Sequence, residues 1–172
     1  ICAAPFFNDN STSPQDGMEK SYDEIIKLLY LAGREDLNSA VFHGSCGYLP
    51  DESTPVDSPA ARRIAELAME YTADRPLYVA AIGAITNVAS ALLLRPEIRE
   101  RMVVVWLGGH AQSWPNTMEF NLFQDVAAAR VVFGCGVPLV QLPCGGVVEQ
   151  FAVGAPELEY WLRRKNPLCD YL

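Results

Sequence analysis

Two apolar runs, Leu77–Ile82 (LYVAAI) and Met102–Leu107 (MVVVWL), constrain this chain more than any other feature in it. Each is continuous rather than alternating and is bounded by breakers, Pro76 and Gly83 around the first and Gly108-Gly109 after the second. Such runs are expected of strands buried on both faces, which is the situation in parallel sheets. Between them, Thr86–Leu94 has a helical pattern, and Pro96 opens a further helical turn through Arg101. A third strand candidate, Val137–Leu142 (VPLVQL), follows a helical segment, Asp125–Phe133, that Gly134 and Gly136 end. Strands alternating with helices predict an α/β fold with a mostly parallel sheet flanked by helices on both faces.

The first third of the chain fits the same plan. Ile1–Ala4 reads as the end of a strand, and the polar stretch Phe6–Gly17 as a loop. Met18–Gly33 spaces Tyr22, Ile25, Ile26, Leu28, Leu29 and Leu31 as one face of a helix, and Ala40–Phe42 is a short strand candidate. The stretch from His43 to Asp57 reads as a long loop. Ser58-Pro59 is a strong helix opening, serine at the N-cap and proline at the first helical position, leading to Tyr71. Near the other end, Pro156 opens an amphipathic helix through Lys165. The 172 residues are expected to form a single domain with a core large enough to bury about two-thirds of the unfolded surface.

Composition removes several function classes. With 13 Lys+Arg against 21 Asp+Glu, the formal charge is −8, which repels phosphate backbones and argues against nucleic acid as a partner. No apolar stretch reaches the roughly 20 residues that span a bilayer, so no membrane partner is expected. The five cysteines are scattered without a C-x-x-C pair and read as reduced thiols of a cytoplasmic protein. The phosphate-loop pattern is absent, and Gly134-Cys135-Gly136 lacks the third glycine of a dinucleotide fingerprint. The chain opens on an apolar stretch without a Met, which leads us to expect truncation or processing.

In open parallel sheets, ligands bind beyond the carboxyl ends of the strands. Four stretches lie there: Asn8–Gly17, Gly83–Asn87, Gly108–Asn121 and Cys144–Gly146. In Ile82–Asn87 (IGAITN), Thr86 either caps the following helix or also turns its backbone toward a ligand or metal. In Gly108–Asn121 (GGHAQSWPNTMEFN), Glu119 and Asn121 place a carboxylate and an amide two residues apart, on one side if extended, a pair suited to sugar hydroxyls. The competing account is a solvated loop with Asp125 capping the next helix. The histidines are His43 and His110. His110 lies at a strand end, whereas His43, before Gly44-Ser45-Cys46-Gly47, does not form a nucleophile motif.

The segments IGAITNVASALLLRPEI, VVVWLGG, EFNLFQDVAAARVVF and VPLVQLPCGGV resemble, in order and spacing, the inosine-uridine preferring nucleoside hydrolase family, and SPQDGMEKSYDEIIKLLYLAGRED resembles its early loop and helix. The likeness implies hydrolysis of the N-glycosidic bond of ribonucleosides to ribose and free base. It also implies a Ca²⁺ ion that grips ribose hydroxyls and lowers the pKa of an attacking water, whose proton passes to an aspartate. Departure of the base leaves an oxocarbenium-like sugar that carboxylates and amide oxygens stabilise. Carried over by position, Thr86 is the residue whose main-chain carbonyl contacts the metal, Glu119 and Asn121 hold ribose hydroxyls, and Asn116, with Ser113 competing for the place, does the same. Asn8 or Asn10 stands for an asparagine after an early strand.

The departure from the family lies in its aspartate cluster, D-x-D-x-x-x-D-D, which occurs nowhere in this chain, and in its C-terminal His-Asp pair. The expectation is a nucleoside hydrolase-like domain incomplete at both ends, its catalytic aspartates outside these residues, binding calcium poorly and turning over slowly by itself. Self-association is expected from apolar surface left open at those ends. Two other readings stand beside it: a non-catalytic sugar- or nucleoside-binding scaffold, and an unrelated α/β domain with a chance EFN loop.

Overall fold

The computed structural model describes all 172 residues. The expected strands form one parallel sheet of order β1-β2-β3, from β1 (Leu77–Ala81), β2 (Met102–Leu107) and β3 (Leu139–Leu142). The register pairs Ala80 with Val105 and Val105 with Val140 across the three strands. The N-terminal segment adds only an isolated parallel bridge, Cys2 to Phe42, in place of the expected strand at Ala40–Phe42, because a 3₁₀ helix occupies Glu35–Ala40.

Helix α1 spans Pro14–Leu31, four residues earlier than the apolar spacing predicts. Its N-cap explains the difference: Ser13 accepts a hydrogen bond from the Asp16 amide at 3.1 Å, and Pro14 takes the first helical position. Helix α2 (Pro59–Met69) starts by the same device, as expected, with Ser58 accepting from Ala61 at 3.1 Å. It buries Ala60, Ala61, Ile64, Ala65 and Ala68 along one side. Helix α3 (Thr86–Leu94) is buried all along Thr86–Leu92, lying between α2 and α5 (Val126–Gly134). Two short elements depart from the sequence pattern: α4 (Phe120–Gln124), where irregular chain is expected, and α7 (Pro167–Tyr171), after α6 (Ala155–Leu162). No helix is long and apolar enough to cross a membrane.

The core lies between α2, α3 and α5 and one face of the sheet, with Trp106, Met102 and Val104 of β2 fully enclosed. Trp106 also donates through Nε1 to the Gly83 carbonyl at 3.0 Å, tying the end of β1 to β2. The opposite face differs from the expectation of strands buried on both sides. Tyr78 of β1 is 69% exposed and Val140 of β3 is 48% exposed, while Val103, Val105 and Leu107 of the central strand are only half-buried. Helix α1 does not relieve this. It packs on the N-terminal segment, where Phe6 leaves no room for a side chain at Gly17 and Ser21 donates to the Ala4 carbonyl at 3.0 Å.

Candidate active site at the strand ends

The chain leaving β2 turns sharply at Gly109, whose φ of 73° suits glycine. It returns through an exposed loop to Glu119, which is buried at the start of α4. The Glu119 carboxylate accepts three main-chain N–H groups: Gly109 at 2.7 Å and Leu122 at 3.0 Å on Oε2, and Asn121 at 3.0 Å on Oε1. Its main geometric effect is therefore to cap α4 and to fasten that helix to the end of β2. A carboxylate offers about four lone-pair directions, so one remains for a ligand.

Asn121, also buried, donates through Nδ2 to the carbonyls of Leu107 at 2.9 Å and Ile82 at 3.3 Å. It bridges the ends of β1 and β2, and its Oδ1 is left to accept from something else. At the far end of α4, the buried Asp125 caps α5 by accepting from Ala128 at 2.9 Å. Its other oxygen accepts from the Thr86 hydroxyl at 2.7 Å and the Leu49 amide at 2.9 Å. Thr86 is thus the first residue of α3 rather than its cap. Ile85 occupies the cap position without a side-chain bond, and the Thr86 hydroxyl serves Asp125.

Asn116 is not drawn into this group. It is exposed, and its Oδ1 accepts from the Met118 amide at 2.9 Å in a local turn. His110 joins the loops after β2 and β3, its Nδ1 accepting from Gly145 at 2.9 Å with Trp114 beside the ring. His43 stacks on Tyr22 at 3.8 Å between ring centroids, with Nδ1 3.2 Å from a Glu19 oxygen. Asn8 accepts from the Asn10 amide at 2.9 Å within its own loop.

Other residues organise the strand ends without having stood out in the sequence. Gln124 clasps Phe7, accepting from its amide at 2.6 Å and donating to its carbonyl at 3.1 Å, while the Tyr48 hydroxyl donates to the same Gln124 oxygen. Burial, with the Asp125 charge nearby, pushes the Tyr48 phenol up to about 12. Asn87 is buried, accepts from the Ser45 amide at 2.9 Å and hydroxyl at 3.0 Å, and donates to the Ala3 carbonyl at 2.7 Å. These contacts join residues far apart in the chain.

Calcium takes six to eight oxygen ligands, mostly carboxylates and carbonyls. Here both buried carboxylates face N–H and O–H donors, whose hydrogens occupy the directions a cation would need. No group of three or more His, Cys, Asp or Glu is placed to hold a metal. The strand-end residues do not fit a calcium ion by themselves.

A parallel α/β sheet with amide and carboxylate groups gathered at its carboxyl ends has them where open α/β folds bind small molecules. The sequence model described as "Inosine-uridine preferring nucleoside hydrolase" matches residues 15–172, and the chain belongs to that family. Among its relatives, the pyrimidine-specific ribonucleoside hydrolase RihA of Photobacterium profundum is 26% identical, aligning 98% of this chain with 62% of that protein. The non-specific ribonucleoside hydrolase RihC of Escherichia coli is 33% identical over 72% of this chain and 42% of its own length. The crystal structure of an inosine-uridine preferring nucleoside hydrolase from Bacillus anthracis superposes with a TM-score of 0.54 at 18% identity, covering 66% of this chain and 42% of that one, which supports the fold. The chain spans 62% and 55% of the length of two RihA relatives that it matches.

Proposed function

We propose that these residues form the sugar-binding part of an enzyme that hydrolyses the N-glycosidic bond of ribonucleosides. The observation that carries this is Asn121, held between the ends of β1 and β2 with its Oδ1 uncommitted, beside the buried Glu119 carboxylate. Asn121 accepts a hydrogen bond from one ribose hydroxyl and Glu119 from another. The Glu119 charge also opposes the positive charge that grows on the sugar as the bond from C1′ to the base nitrogen breaks. Water supplies the hydroxyl that bonds to C1′ and the proton that leaves with the base. Asn116, on the exposed loop, contacts the sugar at the rim. The calcium expected of the family enters this proposal only with oxygen donors beyond these residues, which the Thr86 carbonyl would join. No step assigned here runs through it.

The test is release of free base from inosine and uridine, followed by chromatography with and without Ca²⁺, for this chain and for a longer chain of the same reading frame. The longer chain is expected to release base in a calcium-dependent way, and this chain little. If the longer chain neither binds calcium nor releases base, the proposal is wrong. In an active form, Glu119→Ala and Asn121→Ala should each lower kcat/KM by about 10- to 100-fold, one or two lost hydrogen bonds' worth. A second reading, a nucleoside-binding domain without catalysis, is favoured by the commitment of both Asp125 oxygens to protein donors. Nucleoside binding by the longer chain without any base release would select it.

A further inference from the structure

We propose that His110 is a positioning residue whose protonation state sets the strand-end site: as a neutral imidazole it latches the loop after β3 to the loop after β2, and a proton opens the latch. The latch stands on geometry alone, while its effect on a substrate rests on the sugar-binding role given above to Glu119 and Asn121. The Gly145 amide donates to His110 Nδ1 at 2.9 Å. A ring nitrogen that accepts an N–H carries no proton of its own, so the neutral imidazole holds its proton on Nε2. The fit is steric as well as polar. Gly145 is buried, and a Cβ there would lie 2.7 Å from His110 Nδ1 and 2.8 Å from the Trp114 ring, so both rings rest directly on its backbone. Trp114 holds the imidazole from the side, with 5.3 Å between ring centroids.

Other hydrogen bonds join the same two loops. The Cys144 amide donates to the Gly109 carbonyl at 2.8 Å, the Ala111 amide to the Gly145 carbonyl at 3.0 Å, and Gln141 Nε2 to the Gly108 carbonyl at 2.9 Å. These run between amide and carbonyl groups, which do not titrate, so the bond to His110 is the one that a proton undoes. The protonated ring donates from both nitrogens, and Nδ1–H then meets the Gly145 N–H head-on. The consequence reaches the site through the neighbouring residue. Gly109 gives its amide to Glu119 Oε2 at 2.7 Å, and Oε1 of the same carboxylate holds the Asn121 amide at 3.0 Å. The titratable groups around the latch are Glu149, whose carboxylate accepts from the Gly146 amide at 2.9 Å, Cys144 on the other side of Gly145, and Glu119. Neither carboxylate is bonded to the imidazole, so the latch answers to the proton on the ring itself.

The test is a nuclear magnetic resonance titration of the protein with isotope-labelled histidine and glycine, from about pH 8 to about pH 5, where histidines change charge. The histidines are His43 and His110, and His43→Gln tells them apart. At the upper end His110 is expected as the Nε2–H tautomer. As pH falls, its protonation and the shifts of the Gly145 and Gly109 amides should follow one curve. His110→Asn, whose side-chain oxygen can accept from Gly145 but does not titrate, should hold both amides in their upper-pH positions throughout. His110→Phe should displace both at every pH. In a longer chain of the same reading frame that releases base, kcat/KM for inosine and uridine should fall along that curve. There His110→Phe should lower kcat/KM by about three- to tenfold at the upper end, one neutral hydrogen bond's worth, and His110→Asn should flatten the acid limb. An Nδ1–H tautomer overturns the proposal. So does a Gly145 amide indifferent to the charge on His110, a Gly109 amide that stays still while Gly145 moves, or an acid limb that neither variant alters. A longer chain that shows the latch but releases no base overturns the hydrolase reading and leaves the latch standing.

Discussion

Removing the Asp125 carboxylate should be among the most damaging single changes in this protein. Asp125→Ala takes away the cap of α5, worth about 1 kcal/mol. It also strands the Leu49 amide and the Thr86 hydroxyl, both of which point at Asp125 Oδ2 in a buried setting. A buried donor left without a partner costs about 1–3 kcal/mol. The hydroxyl can swing away to recover part of that, so the total expected is about 3–5 kcal/mol. That is a large share of the roughly 5–15 kcal/mol by which a domain is stable. Thr86→Val removes one donor and leaves the carboxylate with its two main-chain partners, for a loss of about 1–2 kcal/mol. Because the two residues share one hydrogen bond, the double variant should cost about 1–2 kcal/mol less than the sum of the singles. Urea unfolding followed by circular dichroism at a fixed protein concentration measures all four forms, the fixed concentration removing any contribution from association. A loss below about 1 kcal/mol for Asp125→Ala, or strict additivity in the cycle, would refute the assignment of Asp125 as the anchor of α3, α5 and the Leu49 loop.

Gln124→Ala should free Phe7 from its clasp, speeding proteolysis between residues 6 and 12 while costing the global fold only about 1 kcal/mol. Asn87→Ala should cost about 2–4 kcal/mol in urea unfolding, since it leaves the buried Ser45 amide without its acceptor and the Ala3 carbonyl without its donor. Tyr48 has its phenol pushed up from 10.0 to about 12 in the folded protein, so the stability it contributes is complete below pH 10 and declines as pH rises from 10 toward 12. An ultraviolet titration should show one late-ionising tyrosine that Tyr48→Phe removes. Asp51 is held down to about 2 by hydrogen bonds from Ser53 and Thr54, so its loop is ordered above the unfolded value of 3.8 and loosens as pH falls from there toward 2. The Thr54 amide resonance reports it, and an unchanged shift across that window counts against the assignment.

The strands were legible because each apolar run is bounded by proline or glycine, and the start of α2 because Ser58-Pro59 directly precedes its Ala-rich apolar side. The equivalent signal for α1, Ser13-Pro14, lies in a polar stretch, where the first turn carries Gln15 and Asp16 and gives no apolar period to extend. Helix α4 was hidden for a different reason. Its cap is a glutamate that reaches two amides of its own first turn and a third on Gly109, ten residues back, so EFN looks like extended chain until the turn at Gly109 closes. The burial of LYVAAI on one side only could not be read from a continuous apolar run, which records that both sides of a strand are apolar and not what covers them. The hydrogen bonds of Asn87, Ser45, Tyr48 and Gln124 join partners from 42 to 117 residues away, a pairing that no local pattern carries.

Glu119 and Asp125 show why position in a family motif and chemical role need separate arguments. Both are buried carboxylates at the starts of successive helices, α4 and α5, and both spend their oxygens on main-chain donors. A carboxylate so used is fixed in place and surrounded by the positive ends of N–H dipoles, which suits it to aim one remaining lone pair and unsuits it to share two oxygens with a cation. Asp125 has also taken the Thr86 hydroxyl, so it works as an anchor inside the fold. Glu119 keeps a free direction, and Asn121, two residues on in the first turn of α4, keeps an uncommitted amide oxygen beside it. The division of labour follows from hydrogen-bond capacity: Asp125 holds the strand-end elements together, and Glu119 with Asn121 retains the polar atoms that can still meet a sugar.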